Sequence, residues 1–148
     1  IGQMVNLEIL SLRFDDGKHS QVQVAMGPRP DLTNASKHLA GLTRLERLRV
    51  HHWALTDDQL GFLEALPALW DLSLYQMPIT GVGFAQIRQH DRLRRVGIWK
   101  CPQFNDEGLA QLLTLKELRF ATLHETGISE EAGTAMVERF GKGFASFE

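Results

Sequence analysis

The sequence is poor in the features that usually betray a specific chemistry. It has one cysteine, Cys101, which excludes a disulfide framework and any zinc site built from several cysteines. It has no run of about 18 apolar residues, so no segment reads as a transmembrane helix, and no signal-peptide pattern is present. Its net charge is only −2, from 16 basic and 18 acidic side chains, which argues against a surface that is wholly a polyanion trap. There is no G-x-S-x-G nucleophile elbow and no P-loop, and Gly81-Val82-Gly83 lacks the third glycine of a dinucleotide fingerprint. Nothing assigns a compartment. What remains is an ordinary globular balance, 43% hydrophobic and 23% charged over 148 residues, enough for the core of one domain.

What the chain does have is self-similarity. An L-x-x-L-x-L pattern recurs at Leu45/Leu48/Val50, Leu69/Leu72/Leu74, Leu93/Val96/Ile98 and Leu118/Ala121/Leu123, with first positions 24, 24 and 25 residues apart. An earlier copy, Leu7/Leu10/Leu12, stands 38 residues before the first of these. Downstream, Leu55, Ile79, Phe104 and Ile128 are each followed by a helix-capping residue: Thr56, Thr80, Asn105 and Ser129. Acids follow three of the caps, at Asp57-Asp58, Asp106-Glu107 and Glu130-Glu131, where the helix dipole favours them, and Thr56 with Gln59 fits a capping box. Apolar residues then fall at helical spacing, as in Leu60/Leu63, Phe84/Ile87 and Leu109/Leu112. Each unit therefore reads as a short strand, a turn and a short helix, and stacked units would share a core that none could bury alone.

On these residues the chain resembles a leucine-rich repeat protein over roughly residues 1–140, most closely in LERLRVHHWALTDDQLGFLEAL and LRRVGIWKCPQFNDEGLAQL. The second stretch is similar to cysteine-containing repeats of F-box-type substrate receptors, and the 24-residue spacing to repeats of many bacterial proteins. The resemblance implies an α/β fold: a right-handed solenoid in a horseshoe arc, with a concave parallel β-sheet and short convex helices. Residues 1–148 are expected to form one leucine-rich repeat domain of about five repeats, with an insertion at 15–30 and a C-terminal cap at 129–148. Because Ile1 falls within what reads as another unit, the expectation is the C-terminal part of a longer solenoid. The insertion carries strand character at Gln21–Met26 and a turn signal at Asp15-Asp16-Gly17, which predicts a hairpin for edge protection or partner contact. Such repeats usually place a small polar residue or cysteine in the column that here reads Trp53, Met77, Cys101 and Thr126, and only the last two fit. Cys101 reads as buried core, and His90, in a leucine position, as a helix-end residue. Asn34-Ala35-Ser36 is a glycosylation sequon that matters only in a secreted chain.

With that arrangement, the residues between the leucines face the concavity. One column then reads His51, Tyr75, Trp99, His124, on strands about 4.8 Å apart, so each ring reaches the next. Two readings stand side by side: a cross-strand stack that stabilises the sheet, and a binding stripe of hot-spot residue types. Gly97 beside Trp99 predicts a hollow able to take a partner side chain. Bases outnumber acids in these columns, favouring an acidic or phosphorylated partner segment. The expected partner-binding residues are Arg47, Arg49, His51, Trp70, Asp71, Tyr75, Arg95, Trp99 and His124, with Arg94 adding charge selectivity. His51 and His124 stand about 14 Å apart, too far to share an ion, so no metal and no cofactor are expected. The expected function is a protein- or peptide-binding module, not an enzyme, with neither nucleic acid nor membrane as partner. The alternatives are the recognition part of a larger assembly such as a ubiquitin-ligase adaptor, or a purely structural scaffold. Leu72→Ala should cost about 2–5 kcal/mol, and Tyr75→Ala far less if its ring is exposed; equal large losses in urea midpoints would overturn the strand orientation.

Overall fold

Five-residue segments with leucine-type residues at alternate positions suit a strand with one buried face. In the computed structural model, which describes residues 8–13, 39, 41–52, 54–141 and 145–147, these segments are all strands. They are β1 (Ile9–Arg13), β2 (Arg47–His51), β3 (Asp71–Tyr75), β4 (Arg95–Trp99) and β5 (Phe120–His124), followed by β6 (Ala145–Phe147). All six pair in parallel and in chain order, forming one sheet. The fold is α/β. Leu7, the 15–30 insertion, the 34–36 sequon and Trp53 lie outside the described residues.

The register puts chemically matched residues side by side. Leu10, Leu48, Leu72, Val96 and Ala121 form one ladder, and Val50, Leu74, Ile98 and Leu123 another. All of these are buried. A slip of one residue would turn every leucine outward, so the hydrophobic pattern excludes odd shifts of the pairing.

Among the described residues, the segments that cover the leucine face are 3₁₀ helices at Asp57–Ala65 and Val82–Ile87, then α1 (Asp106–Leu112) and α2 (Glu130–Phe140). Leu60, Leu63, Phe84, Ile87, Leu109, Leu112 and Met136 carry the core from this side. Phe84 meets Phe104 edge to face at 6.4 Å. The first two connections are more tightly wound than the helical spacing alone suggests. A 3₁₀ helix rises about 2.0 Å per residue against about 1.5 Å, so it returns the chain to the next strand in fewer residues.

Capping follows the sequence in three units and departs from it in one. Asn105 accepts from Gly108 N at 3.0 Å and Ser129 from Ala132 N at 3.2 Å, while Thr56 N donates to Gln59 Oε1 at 3.1 Å. Thr80 is not the cap of its helix. Gly81 is, in a left-handed conformation with φ of 94°, and a Cβ there would lie 2.3 Å from the Phe104 ring.

Neighbouring units are also joined by polar staples. The Asp57 carboxylate accepts from Thr80 N, Thr80 Oγ1, Gly81 N and Gly83 N at 2.8–3.0 Å, so the helix start of one unit organises the turn of the next. Asp106 repeats the device two units on, accepting from Ser129 N at 2.7 Å. His90 is buried where other units have leucine. Its Nδ1 accepts from Arg92 N and Leu93 N, which leaves Nε2 to donate to Leu66 O at 3.1 Å. The ring thus bridges two units as a structural group.

Burial pushes the Asp57 carboxyl up, but the hydrogen bonds from Gly83, Thr80 and Gly81 outweigh it and hold the group below the usual aspartate range. A carboxyl lowered in the folded state stabilises fully above its unfolded value, near pH 4, and loses that contribution as pH falls through the folded value. Asp57→Asn should therefore unfold at lower urea than wild type at neutral pH, by about 1–3 kcal/mol, with the gap closing below about pH 4. A gap that persisted unchanged in acid would contradict the staple.

Candidate binding face

The sheet face opposite the leucines carries the expected site residues. At the entrance of each strand two successive N–H groups share one carbonyl of the preceding unit. Trp70 N and Asp71 N both bond Glu46 O, Arg94 N and Arg95 N both bond Trp70 O, and Arg119 N and Phe120 N both bond Arg94 O. This local departure from strict alternation lets the neighbours Arg94 and Arg95 line the same hollow. At the far end of the strands His52, Gln76, Lys100 and Glu125 take φ values of 50–56°. The left-handed turn costs roughly 1 kcal/mol or more at each non-glycine residue. It is held by the N–H groups of His52, Gln76 and Lys100 donating to Tyr75 O, Trp99 O and His124 O.

The rings between these ends stack. His51 lies 4.1 Å from Tyr75 with 5° between planes, and Tyr75 lies 4.5 Å from Trp99 with 6° between planes. His51, Tyr75, Trp99 and His124 are all half-buried. The faces of Tyr75 are therefore occupied by its neighbours, and this column presents ring edges to solvent. The hollow expected at Gly97 does not exist. A Cβ on Gly97 would lie 1.7 Å from Trp99 Cη2, because the indole folds back over the glycine and fills that space. Ser73, at the same position on β3, is likewise only 6% exposed. Tyr75→Ala accordingly removes two stacked contacts, for a loss of about 1–3 kcal/mol, more than an exposed ring would give.

Charge is concentrated beside the stack. Arg49, Arg94 and Arg95 are exposed and Arg47 is half-buried. None has a carboxylate within ion-pair distance among the described residues, whereas Arg44, Lys100 and Arg119 pair with Glu8, Glu125 and Glu117. Asp71 occupies the ladder position between Arg47 and Arg95 but is only 7% exposed. It is too covered to offer a surface contact. Arg47 lies over the Trp70 ring at 5.8 Å, and Trp70 Nε1 donates to Glu46 at 3.4 Å, so this indole is held from the preceding strand. On the other side the Arg95 guanidinium stands over Phe120 at 4.9 Å. Between them opens a hollow of about 340 Å³ lined by Trp70, Arg94, Arg95 and Phe120. Phe120 is the lining residue missing from the expected site. The signal for it was its ladder position next to Arg95.

Cys101 is buried, accepting from Met77 N and donating to Trp99 O at 3.4 Å, and burial pushes its thiol up, away from a reactive thiolate. Among the described residues no three His, Cys, Asp or Glu side chains group to hold a metal ion. No helix among them is long and apolar enough to cross a membrane. No protein-family model matches the chain, and no curated protein matches it in sequence.

Gly97→Ala should displace the Trp99 indole, break its stack on Tyr75 and cost about 1–3 kcal/mol through overpacking. Unchanged ring chemical shifts for Trp99 and Tyr75 would contradict the close approach.

Proposed function

We propose that the chain is a leucine-rich repeat solenoid that binds a protein or peptide along the concave face of its parallel sheet. Supporting the fold part of this reading are strands paired in chain order at offsets of 24 and 25 residues, with a helical return between them. The observation that carries the function is the set of exposed arginines, Arg49, Arg94 and Arg95, on one rigid sheet face without carboxylate partners among the described residues. Unsatisfied arginines beside aromatic side chains are the usual makings of a protein interface. A preformed sheet also loses little conformational freedom on binding. The ligand is read as acidic, and the module as non-catalytic.

Random peptides displayed on phage and selected on the wild-type chain test this. Selected peptides should lose at least tenfold in affinity for Arg49→Glu/Arg95→Glu. They should bind Glu64→Lys/Glu107→Lys, which changes exposed residues on the helical side, as well as they bind wild type. Loss of binding only in the helical-side variant would place the binding surface there and overturn the proposal.

A further inference from the structure

The hollow beside the ring stack has a more specific character than the face as a whole, and the inference drawn from it rests on the reading of that face as a binding surface. We propose that the hollow between Trp70 and Phe120 receives one carboxylate of an acidic peptide, with Arg94 and Arg95 as its anion-binding groups. Its walls and its charges are supplied by different residues. Trp70 and Phe120 are apolar and lie on β-ladder neighbours of Arg94 and Arg95. They can cover the methylene stem of a glutamate or the apolar side chain beside it.

The arginine geometry favours a small planar anion. The Arg95 guanidinium carbon stands 4.9 Å from the centre of the Phe120 ring, and no carboxylate among the described residues pairs with its N–H donors. A carboxylate matches that fork with two parallel hydrogen bonds. Arg94 is brought to the same hollow by the shared bonding of its N–H and that of Arg95 to Trp70 O, at 3.0 and 2.9 Å. The Trp70 wall is fixed by Glu46 and Arg47, so the hollow is largely formed before a ligand arrives.

Charges around the hollow select against larger anions. Two exposed guanidinium groups face it, while the nearest ladder acid, Asp71, is buried. Glu46 adjoins the Trp70 wall through its bond to the indole, and Glu117, three residues before Phe120 in the chain, pairs with Arg119 at 3.1 Å. A single carboxylate meets net positive charge in the centre, whereas an extended polyanion would run into these acids.

Three probes decide the matter: the capped tripeptides Ac-Leu-Glu-Leu-NH2, Ac-Leu-Gln-Leu-NH2 and the phosphoserine counterpart of the first. Each is titrated into the isotope-labelled chain and followed by NMR. The glutamate probe should shift the Trp70 indole N–H and the Arg94 and Arg95 side-chain N–H signals, and bind roughly tenfold more tightly than the glutamine probe. Arg95→Gln, and separately Arg94→Gln, should erase that preference, while Arg49→Gln preserves it. Equal binding of the glutamate and glutamine probes would overturn the inference, as would shifts confined to Arg49 and the His51–Trp99 stack. Tighter binding of the phosphoserine probe would overturn the choice of a carboxylate. None of these failures touches the broader reading, which stands or falls on the displayed peptides.

Discussion

Everything on the exposed sheet face depends on the register of one parallel ladder. Because each strand pairs with the next at a constant offset, a residue type repeated in the sequence becomes a column in space. The offset is enforced from the buried side, where Leu48, Leu72, Val96 and Ala121 must all point into the same core. The same register that buries the leucines sets His51, Tyr75 and Trp99 ring on ring and places Arg47, Asp71 and Arg95 in line. Packing behind the sheet is equally exacting. A Cβ on Gly108 would lie 1.9 Å from Thr80 O, and one on Gly83 would lie 2.2 Å from Asp57 O. Adjacent units therefore approach to backbone contact at these points, which only glycine permits.

The division of the exposed face into a stack and a charged hollow follows from side-chain size. On β4, glycine at position 97 leaves space that the large indole of Trp99 occupies, and the stack that results is self-supporting. Toward the strand entrances, shared carbonyls bring long side chains out in adjacent pairs. Arg47 and Arg95 there rest on aromatic rings and have no carboxylate partner among the described residues. Charge and aromatic walls thus gather at the strand entrances, while the ring column is packed against itself.

The strands were legible because leucine spacing and burial are the same physical fact: a period of two with one buried face. The helix starts at Asn105 and Ser129 were legible because a short polar side chain followed by acids satisfies free N–H groups. Gly81 broke that rule. Its capping role depends on how near Phe104 and Gly108 come in the next unit, a long-range fact that local sequence does not carry. For the same reason the void imagined at Gly97 is absent: nothing local says which way an indole two residues on will fold. The buried position of Asp71 escaped too, because column membership gives the face of the sheet but not what lies above it. Phe120 entered the hollow only once the ladder set it beside Arg95.

Register is the claim on which the columns, the stack and the hollow all rest, and nuclear Overhauser contacts between backbone protons measure it directly. Parallel cross-strand contacts should link the Leu48, Leu72, Val96 and Ala121 positions in sequence, each to its immediate neighbour. Contacts displaced by two residues, an antiparallel pattern, or strands adjacent out of chain order would contradict it. Any of these would dissolve the aligned arginine and aromatic columns together.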